Sequence, residues 1–190
     1  MTKLKVLFIT ILGVIMGMTS CKKNCPNFNE SVLNWVPYQA DDVIELYSQS
    51  KDSTIIFSIK SIEATHTTHY QSNAKCGGCD DYISITGYDA DFHAHIEIDG
   101  KNIRYQQYRI GDTDFYGHSK STNFLFEGKE YEEVMIFEKG EREGMFKKLI
   151  IAKNFGIIGL IDIDGNTWAL QTNGKKLNTK KNIVIHNVSC

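Results

Sequence analysis

The residues best suited to chemistry are two cysteines separated by a glycine pair, Cys76-Gly77-Gly78-Cys79, with His66 and His69 before them and His93 and His95 after. Two thiols at that spacing can close a small disulfide, supply one knuckle of a zinc site, or cycle as a redox couple. A redox couple of the thioredoxin kind needs the motif to open a helix, whose N-terminus lowers the thiol pKa. Here Asp80, Asp81, Tyr82 and Ile83 follow, so the context is strand-forming, and two carboxylates would raise the thiol pKa. Zinc requires further ligands, and His93 and His95 share one face of any strand that holds them, with Glu97 next in line. The plainer account of that ladder is the wet side of an amphipathic strand, and of the cysteines a disulfide. Zinc held by Cys76, Cys79 and the histidines His66, His69, His93 and His95, in a metal-binding protein or hydrolase, is the alternative; otherwise no cofactor is expected.

Other patterns point less sharply. Tyr105, Tyr108, Phe115, Tyr116 and His118 cluster around Gly111, Asp112 and Gly117, where they could stack on a sugar or grip a protein, or form core and cross-strand pairs. Glu127, Glu130, Glu132 and Glu133 could hide an acid/base pair of the glycosidase kind, or form a solvated edge. In Asp162-Ile163-Asp164-Gly165-Asn166 the glycine stands fourth, not sixth as a calcium-binding EF-hand loop requires, so the segment reads as a hairpin turn. No Gly-x-Ser-x-Gly, phosphate-binding loop or His-Glu-x-x-His occurs, which argues against the commonest hydrolase, nucleotide and zinc-protease classes. No catalytic residue is assigned.

To position such residues the chain offers strands. Short runs rich in Ile, Val, Tyr, Phe and Thr recur over residues 43–48, 54–63, 82–88, 92–98, 103–110, 123–126, 133–137, 145–151, 157–163, 167–171 and 183–186, separated by Gly, Asn and Asp. Over 54–63, Ile55, Phe57 and Ile59 alternate with Ile56, Ser58 and Lys60, which makes one face apolar. Trp35, Val36 and Tyr38 around Pro37 read as an opening strand at a sheet edge, where proline is tolerated. Asp99-Gly100 reads as a hairpin turn. No segment shows a convincing helical period, so the expectation is an all-β antiparallel meander of about eleven strands, closed as a barrel or folded as a two-layer sheet.

The first residues supply an address. Lys3 and Lys5 precede an uncharged apolar run over residues 6–18, about 13 residues where a spanning helix needs about 20. That is the pattern of a removable export signal, and it ends in Met18-Thr19-Ser20-Cys21. This ending resembles the lipobox of bacterial lipoproteins, with Met18 where Leu is commonest and Ser20 where Gly or Ala is. The resemblance implies cleavage before Cys21, a diacylglyceryl thioether on its sulfur and an acylated, typically palmitoylated, amino group. It also implies an extracytoplasmic domain lipid-anchored in the cell envelope, at the outer membrane of a Gram-negative bacterium. The strand-rich remainder is similar in style to many small lipoproteins of that envelope, which share no common activity.

The expected division is a signal peptide over 1–20, a lipidated tether over 21–33 and a single β domain over 34–190. The whole chain carries 21 Lys and Arg against 23 Asp and Glu; the leader removes Lys3 and Lys5 and no acid, leaving a net charge of about −4. That surface offers no phosphate track, so nucleic acid is excluded as a partner. With Cys21 lipidated, Cys25, Cys76, Cys79 and Cys190 remain, an even number in an oxidising compartment and hence disulfide candidates. A Cys25 to Cys190 bridge would stabilise by up to about 5 kcal/mol on the chain-entropy account, and a Cys76 to Cys79 bridge by about 2 kcal/mol. The function best supported is a non-catalytic binding or interaction module, attached to a membrane through its lipid, with a protein or carbohydrate as ligand.

Overall fold

Alternating apolar residues and tight turns build eleven strands: β1 (Val43–Ser48), β2 (Ser53–Thr68), β3 (Cys79–Tyr88), β4 (His93–Asp99), β5 (Asn102–Ile110), β6 (Thr113–Phe126), β7 (Lys129–Lys139), β8 (Phe146–Ala152), β9 (Gly156–Asp162), β10 (Thr167–Leu170) and β11 (Ile185–Ser189). They are seen in a computed structural model that describes residues 27–68, 79–99, 102–171 and 183–189. The protein is all-β, as expected. Each strand from β2 to β9 pairs antiparallel with the next, and β1 pairs with both β2 and β10, so ten strands close a ring-like sheet.

One strand departs from the predicted antiparallel meander. β2 is 16 residues long and β1 only six, so β1 covers its edge no further than Ser58. β11 lies parallel to β2 over Ala64 to Thr68 and satisfies ladder groups that would otherwise stand open. The turns follow the sequence closely. Ser48 pairs with Ser53 across residues 49–52, and Asp99 pairs with Asn102 across residues 100–101, where the predicted Gly100 turn lies outside the described residues.

Inside the ring, Ile44, Leu46, Phe57, Ile59, Ile83, Ile96, Phe115, Phe137 and Leu160 form one apolar core. Each such side chain contributes roughly 1.5–3 kcal/mol by leaving water. A second, smaller cluster lies on the opposite face: along β8, Leu149 and Ile151 join the main core, while Ile150 and Ala152 join Tyr131, Val134 and Ile158. The β6–β7 hairpin carries Phe124 and Phe126 onto that outer cluster.

Two expectations need correction. The opening strand at 35–38 is instead the end of a 3-10 helix, Glu30–Trp35, and the coil after it. Asn29 caps that helix by accepting from the Ser31 N–H, and Val32, Trp35, Val36 and Tyr38 are buried in the core. Phe28 and Leu33 also pack against the core. The strand expected over 123–126 begins ten residues earlier, at Thr113. β5 and β6 are paired only over Tyr108–Ile110 and Thr113–Phe115; beyond an irregularity at Gly117, whose φ is +60°, β6 continues against β7 alone.

Candidate functional site

Of the residues singled out for chemistry, Cys21, Cys25, His69, Cys76 and Cys190 lie outside the described residues. Cys79 opens β3 opposite Thr68. Opposite each other on the same two strands, His66 and Asp81 join through Nδ1 and Oδ1, in the row that continues inward as Ala64 and Ile83. His93 and His95 alternate with the buried Ala94 and Ile96 and therefore stand on the outer face. The sheet itself divides the histidines, so a single ion cannot draw on His66 together with His93 and His95. His93 Nε2 meets the Asp91 carboxylate at 2.9 Å, and Arg109, its register partner, brings a guanidinium to the same carboxylate at 3.8 Å. His95 packs on the Tyr82 ring at 5.4 Å between centroids. Among the described residues, no three His, Cys, Asp or Glu side chains converge as a metal site would require.

The aromatic cluster divides: Tyr108 and Phe115 join the core, Tyr116 is exposed, and the side chain of Tyr105 lies outside those described. Tyr108 and Phe115 face each other across β5 and β6, both buried, and Tyr108 lies 5.0 Å from Phe137 between ring centroids. His118, on β6, packs against Phe137 at 5.5 Å between ring centroids, and burial lowers its pKa. Among the carboxylates, Glu133 is engaged by Lys153 at 2.6 Å, while Glu130 and Glu132 face solvent. Glu127 is placed differently.

Glu127, at the tip of the β6–β7 hairpin, is one wall of an open cavity of about 660 Å³. The opposite wall is the end of β1 and its turn, Tyr47, Gln49 and Ser50; the floor is β10, with Thr167, Ala169 and Leu170, running out to Gln171. Tyr47 and Ala169 are register partners, so the phenol stands beside a small side chain. The Tyr47 hydroxyl donates to Asp52 Oδ1 at 2.9 Å, and this bond holds its pKa above the usual tyrosine value. With its proton committed, the phenol offers the groove a ring edge and oxygen lone pairs.

The turn beside the groove is built from Asp162. Its carboxylate accepts the Asn166 backbone N–H at 2.8 Å and both carboxamide bonds at 3.1 and 2.9 Å. Ser50 then donates to Asn166 Oδ1 at 2.8 Å, which ties the β1–β2 turn to the β9–β10 turn. Burial alone would raise the Asp162 pKa, but the Asn166 hydrogen bonds outweigh it and hold the carboxyl below the usual range. A depressed folded-state pKa contributes stability that is present above the unfolded value and lost as pH falls through the folded one. Melting temperature is therefore expected to fall as pH drops below about 4. Asp162→Asn, less stable at neutral pH, should show a shallower fall across that acid window in calorimetric scans.

None of these groove residues was singled out by type except Glu127 and the 162–166 turn. The lining holds one carboxylate, no cysteine and no histidine. Its hydroxyls, carboxamides and single carboxylate are groups that can hydrogen-bond a ligand. Compared with protein-family models, with curated proteins and with solved structures, the chain finds no match.

Proposed function

We propose that this is a lipid-anchored protein of the bacterial cell envelope whose β domain is a non-catalytic binding module, with the groove between Tyr47, Thr167 and Glu127 as its ligand seat. The observation that carries the reading is the convergence of three separate chain segments on one polar cavity whose lining holds a single carboxylate. The leader and the character of the sheet both support this attachment. Glu45, Lys60, Glu63, His93 and His95 are exposed on β1, β2 and β4, and the ring interior is filled with apolar side chains. A membrane-crossing barrel has the reverse pattern, an apolar outer band around a polar lumen. Attachment to a bilayer then falls to the acyl chains on Cys21.

Occupancy is testable by hydroxyl-radical footprinting of the full chain, first in intact envelopes and then purified in a zwitterionic detergent. Tyr47 should be protected in the envelope and react after purification, while Tyr88 and Tyr116, 51% and 45% exposed and away from the groove, should react alike in both. Equal reactivity of Tyr47 in the two states would remove the groove as the seat. Elemental analysis of the same material would turn the reading toward the Cys76 and Cys79 alternative if it found one zinc per chain.

A further inference from the structure

We propose that the ligand is a neutral, polyhydroxylated chain, a short stretch of glycan, and that Glu127 is the side chain the hairpin tip is built to present to it. The proposal rests on the groove being the ligand seat and assigns its chemistry.

The lining selects the class. Its one ionic side chain is Glu127, and Lys51, which stands at the rim, is paired with Asp164 at 3.3 Å. Lys147 brings its ammonium near Gly165 without lining the groove. A phosphate, sulfate or uronate would therefore meet a carboxylate with no cation in the lining to receive it. Gln49 and Gln171 carry carboxamides and Thr167 a hydroxyl, groups that both donate and accept, as sugar hydroxyls do. Tyr47, with Ala169 and Leu170 beside it, supplies a narrow apolar strip suited to the C–H face of a pyranose. The volume, about 660 Å³, falls within the usual range for small-ligand sites.

The backbone at Glu127 adds an independent argument. Phe126 pairs with Lys129, so Glu127 and Gly128 form a two-residue turn, with φ of +47° and +75°. Turns with positive φ at both central positions favour Asn-Gly or Asp-Gly; glutamate there costs stability that asparagine would recover. The tip is also clamped. Phe126 lies on the bare backbone of Gly159, where a Cβ would stand 2.4 Å from the ring. A strained residue, held by an aromatic anchor over a glycine and facing a cavity, is accounted for by a ligand that its carboxylate receives.

The test uses the full lipidated chain in zwitterionic detergent. The probes are neutral hexasaccharides of glucose, mannose and xylose, with an oligogalacturonate as the anionic counter-probe, read by calorimetry and by footprinting of the groove. At least one neutral probe should bind and protect Tyr47, and the oligogalacturonate should bind less well. Glu127→Asn should raise the melting temperature by a few degrees while weakening neutral binding about tenfold or more. A stabilised Glu127→Asn protein with unchanged affinity would overturn the role of Glu127. Groove protection by the oligogalacturonate alone, or no binding by any neutral probe, would overturn the ligand class while leaving the seat. Binding that leaves Tyr47 unprotected would remove the seat as well.

Discussion

Gly156→Ala is expected to destabilise the protein by about 4 kcal/mol, much of the roughly 5–15 kcal/mol that holds a domain of this kind folded. Two costs combine. Gly156 opens β9 with φ of +72°, and an L side chain in that region costs about 1–2 kcal/mol. The space is also taken: a Cβ would stand 2.0 Å from the Tyr38 hydroxyl oxygen and 2.3 Å from the ring carbon that bears it. Tyr38 is only 3% exposed, and its hydroxyl oxygen accepts the Ile157 backbone N–H, so it cannot retreat without orphaning a buried donor. Overpacking adds about 1–3 kcal/mol and the lost hydrogen bond a further 1–3 kcal/mol, with some overlap between them. A melting temperature lower by roughly 10 °C follows. Gly117→Ala is the control, with φ of +60° and nothing within 4 Å of the added carbon; it should cost about 1 kcal/mol, from the backbone alone. Similar losses at the two sites would show that the Tyr38 contact is not what makes Gly156 special. The contact matters beyond stability, because Tyr38 ties the coil after the 3-10 helix to β9, the strand that leads into the Asp162 turn beside the groove.

How much of this was legible follows from where the signals sit. The strands with one wet face announced themselves: His93, His95 and Glu97 alternate with Ala94, Ile96 and Ile98, and β4 formed where the pattern ran. β6 hid its first ten residues, because Phe115 and Tyr116 are adjacent and the irregularity at Gly117 resets which face is inward. After it, Ser119, Lys120, Thr122 and Asn123 are exposed and no apolar alternation remains to be read. The 3-10 helix was mistaken for a strand because six residues are too few to show a period, although Asn29 with Ser31 was a readable cap. Strand β11 could be foreseen, but its parallel course could not, since nothing local encodes which edge a last strand will meet. The groove was least legible of all. Tyr47, Glu127 and Gln171 stand far apart in sequence and each is ordinary where it stands. The one local irregularity was glutamate in a two-residue turn before Gly128, and its meaning depends on the cavity beside it.

On the proposed attachment, replacing Cys21 is expected to have the largest effect on where the protein resides. Serine at that position cannot form the thioether, so Cys21→Ser should abolish incorporation of labelled palmitate. Because an unprocessed leader could itself hold the variant at the membrane, the decisive form also replaces residues 1–20 with an ordinary cleavable secretory signal. Each buried methylene contributes about 0.8 kcal/mol, and a single chain gives only reversible binding, so two or three chains make detachment negligible. Their loss should move the protein almost entirely into the soluble periplasmic fraction. A doubly altered protein that still sediments with membranes in high salt would place the attachment in the β domain, and would make its exposed Val43, Ile56 and Tyr88, neighbours on β1, β2 and β3, the next residues to change.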